Sequence, residues 1–341
     1  MKPALQTYAA ARRARVFSHM LAWLRAGARG MPAEMRSCLL DYPSRGGKAL
    51  RPLLLCLFGE GLGADADRCE RLGAACEIFE NWALALDDMM DDSLLRRGKP
   101  AIHRVYGRES AMNAMAALTG IVPPLLYRSC RLTPRLYGPV MEQFYASLRE
   151  ALSGQQLELA WRPRPLRDFT AGDYFRIAAR KTSSYTTVGP ARLGALLAGR
   201  GDLFPAIDAF GLALGKSFQL MDDILDVESA GGGAFGKALG NDLLEGKKTL
   251  LAARALLRLK GAERAWFLSF YAPGRRRGRR DALRARRLIL GSGAVADCRA
   301  RAAALSARAL AVFLGRLYPE MRSPFRDHVA EFVLMLKERA A

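Results

Sequence analysis

Apolar residues recur at helical spacing along most of this chain, and alternating runs of β-branched residues are hard to find. The periodicity predicts helices over Ser44 to Gly61, Asp65 to Asp91, Arg108 to Tyr127, Gly138 to Leu159, Ala171 to Ala198, Leu203 to Val227 and Thr249 to Leu259. Glycine and proline supply the breaks, at "SRGG", "GEGLG", "RRGKP", "AGGGAFG" and "APGRRRG". Length alone leaves one large domain or two medium ones open, but no linker long enough to divide the chain is visible. The expectation is an all-α protein with a single domain over residues 1–341. One exposed basic excursion is expected at 272–287, where Arg275 to Arg287 ("RRRGRRDALRARR") holds eight arginines and one aspartate.

The balance of 53 basic against 33 acidic residues gives a net charge of +20, which raises the question of a nucleic-acid or anionic-membrane partner. The arginines are spread along the chain, with no interleaved aromatics and no zinc, helix-turn-helix or RNA-binding signature. No specific nucleic acid and at most peripheral membrane contact are therefore expected; a small polyanionic substrate suits the same charge. The six cysteines show no paired spacing and read as reduced, packed thiols. Asn113, Thr119 and Pro123-Pro124 interrupt the longest apolar stretch before it reaches the ~18 residues of a membrane span, and the reading is a soluble, cytoplasmic protein. Arg12, Arg13, Arg15, Arg25 and Arg29 precede the first acidic residue, Glu34, a composition shared with transit peptides, but an ordinary first helix accounts for it in so Arg-rich a chain.

The chemistry is concentrated at "LDDMMDDSLLRRGKP", where Asp87, Asp88, Asp91 and Asp92 close an apolar helix and Arg96 and Arg97 follow. Like charges at i, i+4 on a helix cost roughly 0.2–0.5 kcal/mol, so Asp87 and Asp91 need a reason other than folding. At "FQLMDDILDV", Asp222, Asp223 and Asp226 repeat the spacing of Asp87, Asp88 and Asp91. Carboxylates at i, i+1 and i+4 are the hard oxygen ligands that Mg²⁺ takes alongside water and phosphate oxygens, and two facing triplets could hold several ions around a diphosphate. Removing Asp88 or Asp223 is then expected to cost turnover and not stability. Lys48, Arg51, Arg96, Arg97, Lys181, Lys237 and Lys247 supply phosphate-binding cations. His19, His103 and His328 form no triad or metal spacing.

The chain resembles the trans-isoprenyl diphosphate synthases, the polyprenyl synthetase family. The resemblance is carried by Gly46-Gly47-Lys48 with Leu50-Arg51-Pro52, Asp87-Asp88-x-x-Asp91 with Arg96-Arg97-Gly98, Lys181-Thr182, Phe218-Gln219 with Asp222-Asp223-x-x-Asp226, and Gly236-Lys237 with Asp242 and Gly246-Lys247, in the family's order. It implies a helical bundle around a deep central cavity, usually as a homodimer. It also implies that the first triplet, with Lys181 and Asp222, holds Mg²⁺ and the allylic diphosphate, assisted by Arg96, Gln219 and Lys237. Lys48, Arg51 and Arg97 would bind isopentenyl diphosphate, and Lys181, Thr182 and Gln219 would stabilise the carbocation. The implied reaction ionises a dimethylallyl, geranyl or farnesyl diphosphate, adds isopentenyl diphosphate head-to-tail and returns the lost proton to pyrophosphate.

One position departs from the family, which commonly places His or Gln seven residues before the first aspartate, where this chain has Glu80. That carboxylate opposes a diphosphate unless a cation pairs with it. Below Asp87 on its helix, Ala83 and Trp82 sit roughly 6 and 7.5 Å down and Phe79 about 12 Å down. In the resembling family this face meets the growing chain, so small Ala83 over a Trp82 floor points to geranylgeranyl diphosphate as main product, with farnesyl diphosphate the alternative. A terpene cyclase or head-to-head synthase has no need of Lys48 and Arg51, and a non-catalytic subunit of a heteromeric synthase typically loses aspartates or the arginine pair. A basic nucleic-acid or membrane-surface binder would show salt-dependent retention.

Overall fold

In a computed structural model, which describes residues 2–228 and 241–338, the elements are helices apart from one two-stranded hairpin. The chain forms two compact units. The first comprises Met1–Ala146, Gly189–Asp208 and Phe313–Phe332. It holds α1 (Pro3–Gly27), α2 (Ala33–Ser44), α3 (Leu50–Leu62), α4 (Ala66–Asp91), β1 (Leu95–Arg96), β2 (Lys99–Pro100), α5 (Ile102–Val105), α6 (Arg108–Ser129) and the start of α7 (Pro134–Trp161). The second comprises Ser147–Val188, Ala209–Val312 and Val333–Ala341. It holds the rest of α7, then α8 (Ala171–Ile177) and a π-helical segment over Ala178–Val188. The helix α9 (Gly189–Leu197) returns to the first unit, and α10 (Phe204–Glu228) carries the chain into the second. There α11 (Asn241–Glu245), α12 (Leu250–Arg258), α13 (Gly261–Phe270), α14 (Arg279–Gly291) and α15 (Ala294–Val312) follow, and α16 is Phe325–Glu338.

The ends of these helices follow from local chemistry. Asp65 caps α4 by accepting from the Arg68 amide at 3.0 Å, which satisfies one of the helix's unpaired N–H groups. Thr170 and Asp173 form a reciprocal capping box at the start of α8. Arg97 and Gly98, both with positive φ (54° and 74°), make the two-residue turn of the β1–β2 hairpin, the backbone a type I′ turn requires.

The core of the first unit is built on α3, whose Leu53 to Phe58 are all buried. It packs against α9 at Gly194, where a methyl group would lie 2.5 Å from the Leu55 carbonyl oxygen. In the second unit Leu220, Ile224, Leu251, Phe267, Phe270 and Ile289 form the centre of an apolar cluster.

The expected helices are largely found, with three differences. The segment expected to begin at Ser44 opens instead at Leu50, because Gly46 and Ala49 take left-handed backbone (φ 76° and 52°) and leave Lys48 exposed on a turn. The helix expected over Ala171 to Ala198 widens into the π-helical segment, with Gly154 and Gly215 against it; a methyl on Gly154 would lie 2.1 Å from the Lys181 backbone nitrogen. The basic stretch at 272–287 is mostly exposed, as expected, but about half of it is helix. Ala282 and Ala285 of α14 are buried, the Arg286 guanidinium donates to the Val227 and Glu228 carbonyls, and Arg277 donates to those of Phe270 and Ala272. Among the described residues no helix is long and apolar enough to cross a membrane, and all six cysteines are buried as free thiols.

Candidate active site

The first triplet closes α4, and its members do not share one fate. Asp88 is wholly buried. Arg96 from the hairpin grips it through two N–H donors, one at 2.8 Å, while the Tyr42 hydroxyl donates to Oδ2 at 2.6 Å. Asp87 and Asp91, a helical turn apart, are only partly buried. Asp88, expected on the metal, and Arg96, expected on the substrate, hold each other here, because a buried carboxylate must be paired and hydrogen-bonded.

The second triplet, on α10, repeats the pattern. Asp223 is buried and accepts from the Tyr174 hydroxyl and from the Gln219 amide, each at 2.8 Å. Burial pushes its carboxyl up from the ordinary carboxylate range, against the opposing pull of Lys247. Asp222 is exposed and Asp226 partly buried. Thr182 Oγ1 donates to the side-chain oxygen of Gln219, Oε1, at 2.5 Å, so Thr182, Gln219, Asp223 and Tyr174 form one network. Lys181, carried by the π-helical segment, donates to Glu158 at 2.7 Å. Lys247 lies 3.8 Å from the same residue's Oε2 and 3.4 Å from Asp242. Glu158 thus gathers the two lysines on one carboxylate. Lys237 lies outside the described residues.

Each triplet therefore offers an i, i+4 pair, Asp87 with Asp91 and Asp222 with Asp226, around an internally bonded middle member. This all-oxygen donor set fits Mg²⁺, which takes one or two carboxylates and fills its remaining positions with water and phosphate oxygens. His19, Asp67 and Glu70 also converge, with ligand atoms within 4.8 Å of one another. Their carboxylates are already engaged, Glu70 by Arg12 and Arg15 and Asp67 by Arg71 and Arg131, so this cluster is an ion-pair network.

The residues assigned to the second diphosphate lie in the first unit. Arg51 Nη1 meets Glu80 Oε1 at 3.0 Å, so the departure at Glu80 comes with its own cation. Arg97 donates to the Tyr42 carbonyl at 2.7 Å and to Asn81 Oδ1 at 3.0 Å. The Phe79 and Trp82 rings meet at a tilt with centroids 5.4 Å apart, and Phe144 meets Phe79 edge-on at 5.9 Å. Ala83 is partly buried beside them. Sequence reasoning missed Tyr42, Tyr174, Glu158, Asn81 and Glu77. Of these only Glu77 left a signal, a second carboxylate three residues before Glu80 in an otherwise apolar run.

Residues 32–285 match the polyprenyl synthetase family. The chain is 30% identical over 232 residues to a short chain isoprenyl diphosphate synthase of Methanothermobacter thermautotrophicus, covering 67% of this chain and 69% of that protein. It is 33% identical over 225 residues to a geranylgeranyl diphosphate synthase of Methanosarcina mazei, covering 66% and 68%. Its fold matches a polyprenyl synthase from Caulobacter crescentus, solved with calcium and isoprenyl diphosphate, with a TM-score of 0.84 at 27% identity over 99% of this chain and 97% of that one. These helices and carboxylate triplets define an all-α enzyme of the trans-prenyl diphosphate synthase class. The chain belongs to the polyprenyl synthetase family.

Proposed function

We propose that this enzyme condenses isopentenyl diphosphate head-to-tail with an allylic diphosphate, giving geranylgeranyl diphosphate as main product, and that it works with Mg²⁺ as a homodimer. The observation that carries the reading is the shared arrangement of the triplets, in which a tyrosine-bound middle aspartate leaves an i, i+4 carboxylate pair at each helix end.

Asp87 with Asp91 and Asp222 with Asp226 would hold Mg²⁺ for the allylic diphosphate. Held by these carboxylates, Mg²⁺ would supply Lewis-acid neutralisation of the diphosphate leaving group. Lys181 and Lys247 add positive charge, kept in place by Glu158. The Thr182 and Gln219 dipoles sit in the network anchored on Asp223, rigid before the carbocation forms; stabilisation by such preset dipoles costs no reorganisation during reaction. Lys48, Arg51 and Arg97 bind the diphosphate of isopentenyl diphosphate. No protein nucleophile is required, and the proton lost after addition goes to pyrophosphate. The test is turnover of Asp87→Ala, Asp91→Ala and Asp222→Ala with isopentenyl and allylic diphosphates. A large loss in each is expected, and near-full turnover in any of them removes that residue from the metal site.

A further inference from the structure

The pocket assigned to isopentenyl diphosphate contains more negative charge than its cations suggest. Glu80 engages Arg51 at 3.0 Å, and its Oε2 is buried without a hydrogen bond. Glu77, one helical turn earlier on α4 and 2% exposed, lies beside the loop that carries Lys48. A methyl on Gly47 would be 3.1 Å from Glu77 Oε1 and 3.2 Å from Arg97 Nη2, so the bare glycine lets both side chains reach that loop. Arg13 of α1 donates to the Gly47 carbonyl at 2.7 Å and closes the other side. Lys48, Arg51, Arg97 and Arg13 against Glu77 and Glu80 leave about two net positive charges when both carboxylates are ionised, still fewer than a diphosphate needs for neutralisation.

We propose that Glu77 and Glu80 are specificity-determining residues that make this pocket take its diphosphate together with a proton. The proposal rests on the reading that Lys48, Arg51 and Arg97 hold the acceptor's diphosphate. On binding, the diphosphate competes with Glu80 for Arg51, and the proton goes to a Glu77 oxygen, removing one of the two opposing charges. Glu77 receives it because it is the more deeply buried and because Glu80, rather than a cation of its own, stands next to it along α4. Its carboxyl is pushed up to about 7 by burial first and then by Glu80, with Arg51, Arg97 and Arg13 pulling the other way. An arriving diphosphate adds to the first two effects and moves the group further toward its neutral form.

The experiment is titration calorimetry of the full chain with isopentenyl diphosphate alone, without metal or primer, between pH 7 and 8.5 in two buffers of different ionisation enthalpy. The wild type is expected to take up about half a proton per ligand at pH 7, where Glu77 is already partly protonated, rising toward one by pH 8.5, with the affinity loss steepening toward tenfold per pH unit at the upper end. Glu77→Gln should bind with little pH dependence and without that proton, which also cancels any proton of the ligand itself. Glu80→Gln, at a partly exposed position, should bind several-fold more tightly than wild type at pH 8 and take up less proton. Wild-type binding with no proton uptake beyond that of Glu77→Gln overturns the proposal and leaves the site assignment standing. No binding by any of the three, with no chain extension by the wild type, overturns both.

Discussion

The Tyr174 hydroxyl donates to the buried Asp223 carboxylate at 2.8 Å, and this contact has a counterpart in the other unit, where Tyr42 donates to Asp88 at 2.6 Å. In both, the tyrosine lies far away in sequence and claims the middle carboxylate of a triplet. The flanking aspartates stay less buried than the middle one, Asp222 exposed and Asp87, Asp91 and Asp226 partly buried.

Tyr174→Phe should cost about 1.5–3 kcal/mol of stability, the range for a hydrogen bond to a charged group, and should lower turnover by loosening Asp222 and Asp226. Thermal unfolding and steady-state kinetics of Tyr174→Phe and Tyr42→Phe check this. Unchanged melting and turnover in both would mean that the tyrosines merely fill space.

Asp88 and Asp91 should separate folding from chemistry. Asp88→Ala leaves the Arg96 guanidinium buried without its carboxylate, a loss of about 3–5 kcal/mol, whereas Asp91→Ala relieves a like-charge pair and should leave stability within about 0.5 kcal/mol. Turnover should fall roughly 100-fold or more in Asp91→Ala, the scale of removing a transition-state charge stabiliser. Chemical denaturation of both variants decides. An Asp88→Ala protein as stable as wild type would restore the sequence-based expectation that this residue is dispensable for folding.

The spacing of the triplets and the helices carrying them could be read from the chain, because i, i+1, i+4 carboxylates after an apolar run have few structural uses. Which aspartate turns inward could not. Asp88 is chosen by Tyr42, 46 residues earlier, and Asp223 by Tyr174, 49 residues earlier. Local charge patterning holds no trace of either. Glu80 was visible as an anomaly, but the Arg51 pairing that resolves it depends on how α3 packs beside α4. The π-helical segment was illegible for the same reason: Gly154 and Gly215, which admit it, sit on other helices. The helix inside the Arg-rich stretch was hard to read because eight arginines mask the buried Ala282, Ala285, Leu288 and Ile289 spaced along α14.

Stability should also depend on Glu77. Its folded carboxyl, near 7, lies above the ordinary value of 4.5, so the native state holds a proton that the unfolded chain gives up. The stability it contributes is complete below about pH 4.5 and is lost as pH rises to about 7. Glu77→Gln should flatten the fall in melting temperature over that window, measured without metal. An identical pH profile in wild type and variant would place the Glu77 titration elsewhere.

Product length should follow the aromatic pair on α4. Trp82→Ala opens the space beside Phe79 and should shift products to longer chains, more so with Phe79→Ala added; chromatography of the dephosphorylated products reads it. An unaltered profile in the double variant would remove this face from length control.

The central claim is tested most directly by incubating the purified protein and Mg²⁺ with isopentenyl diphosphate and, in turn, dimethylallyl, geranyl and farnesyl diphosphate, then chromatographing the dephosphorylated products. The account predicts chain extension from these primers, ending mainly at geranylgeraniol and abolished by chelation of the metal. Release of unextended alcohols or cyclic hydrocarbons, with isopentenyl diphosphate left unconsumed, would contradict it.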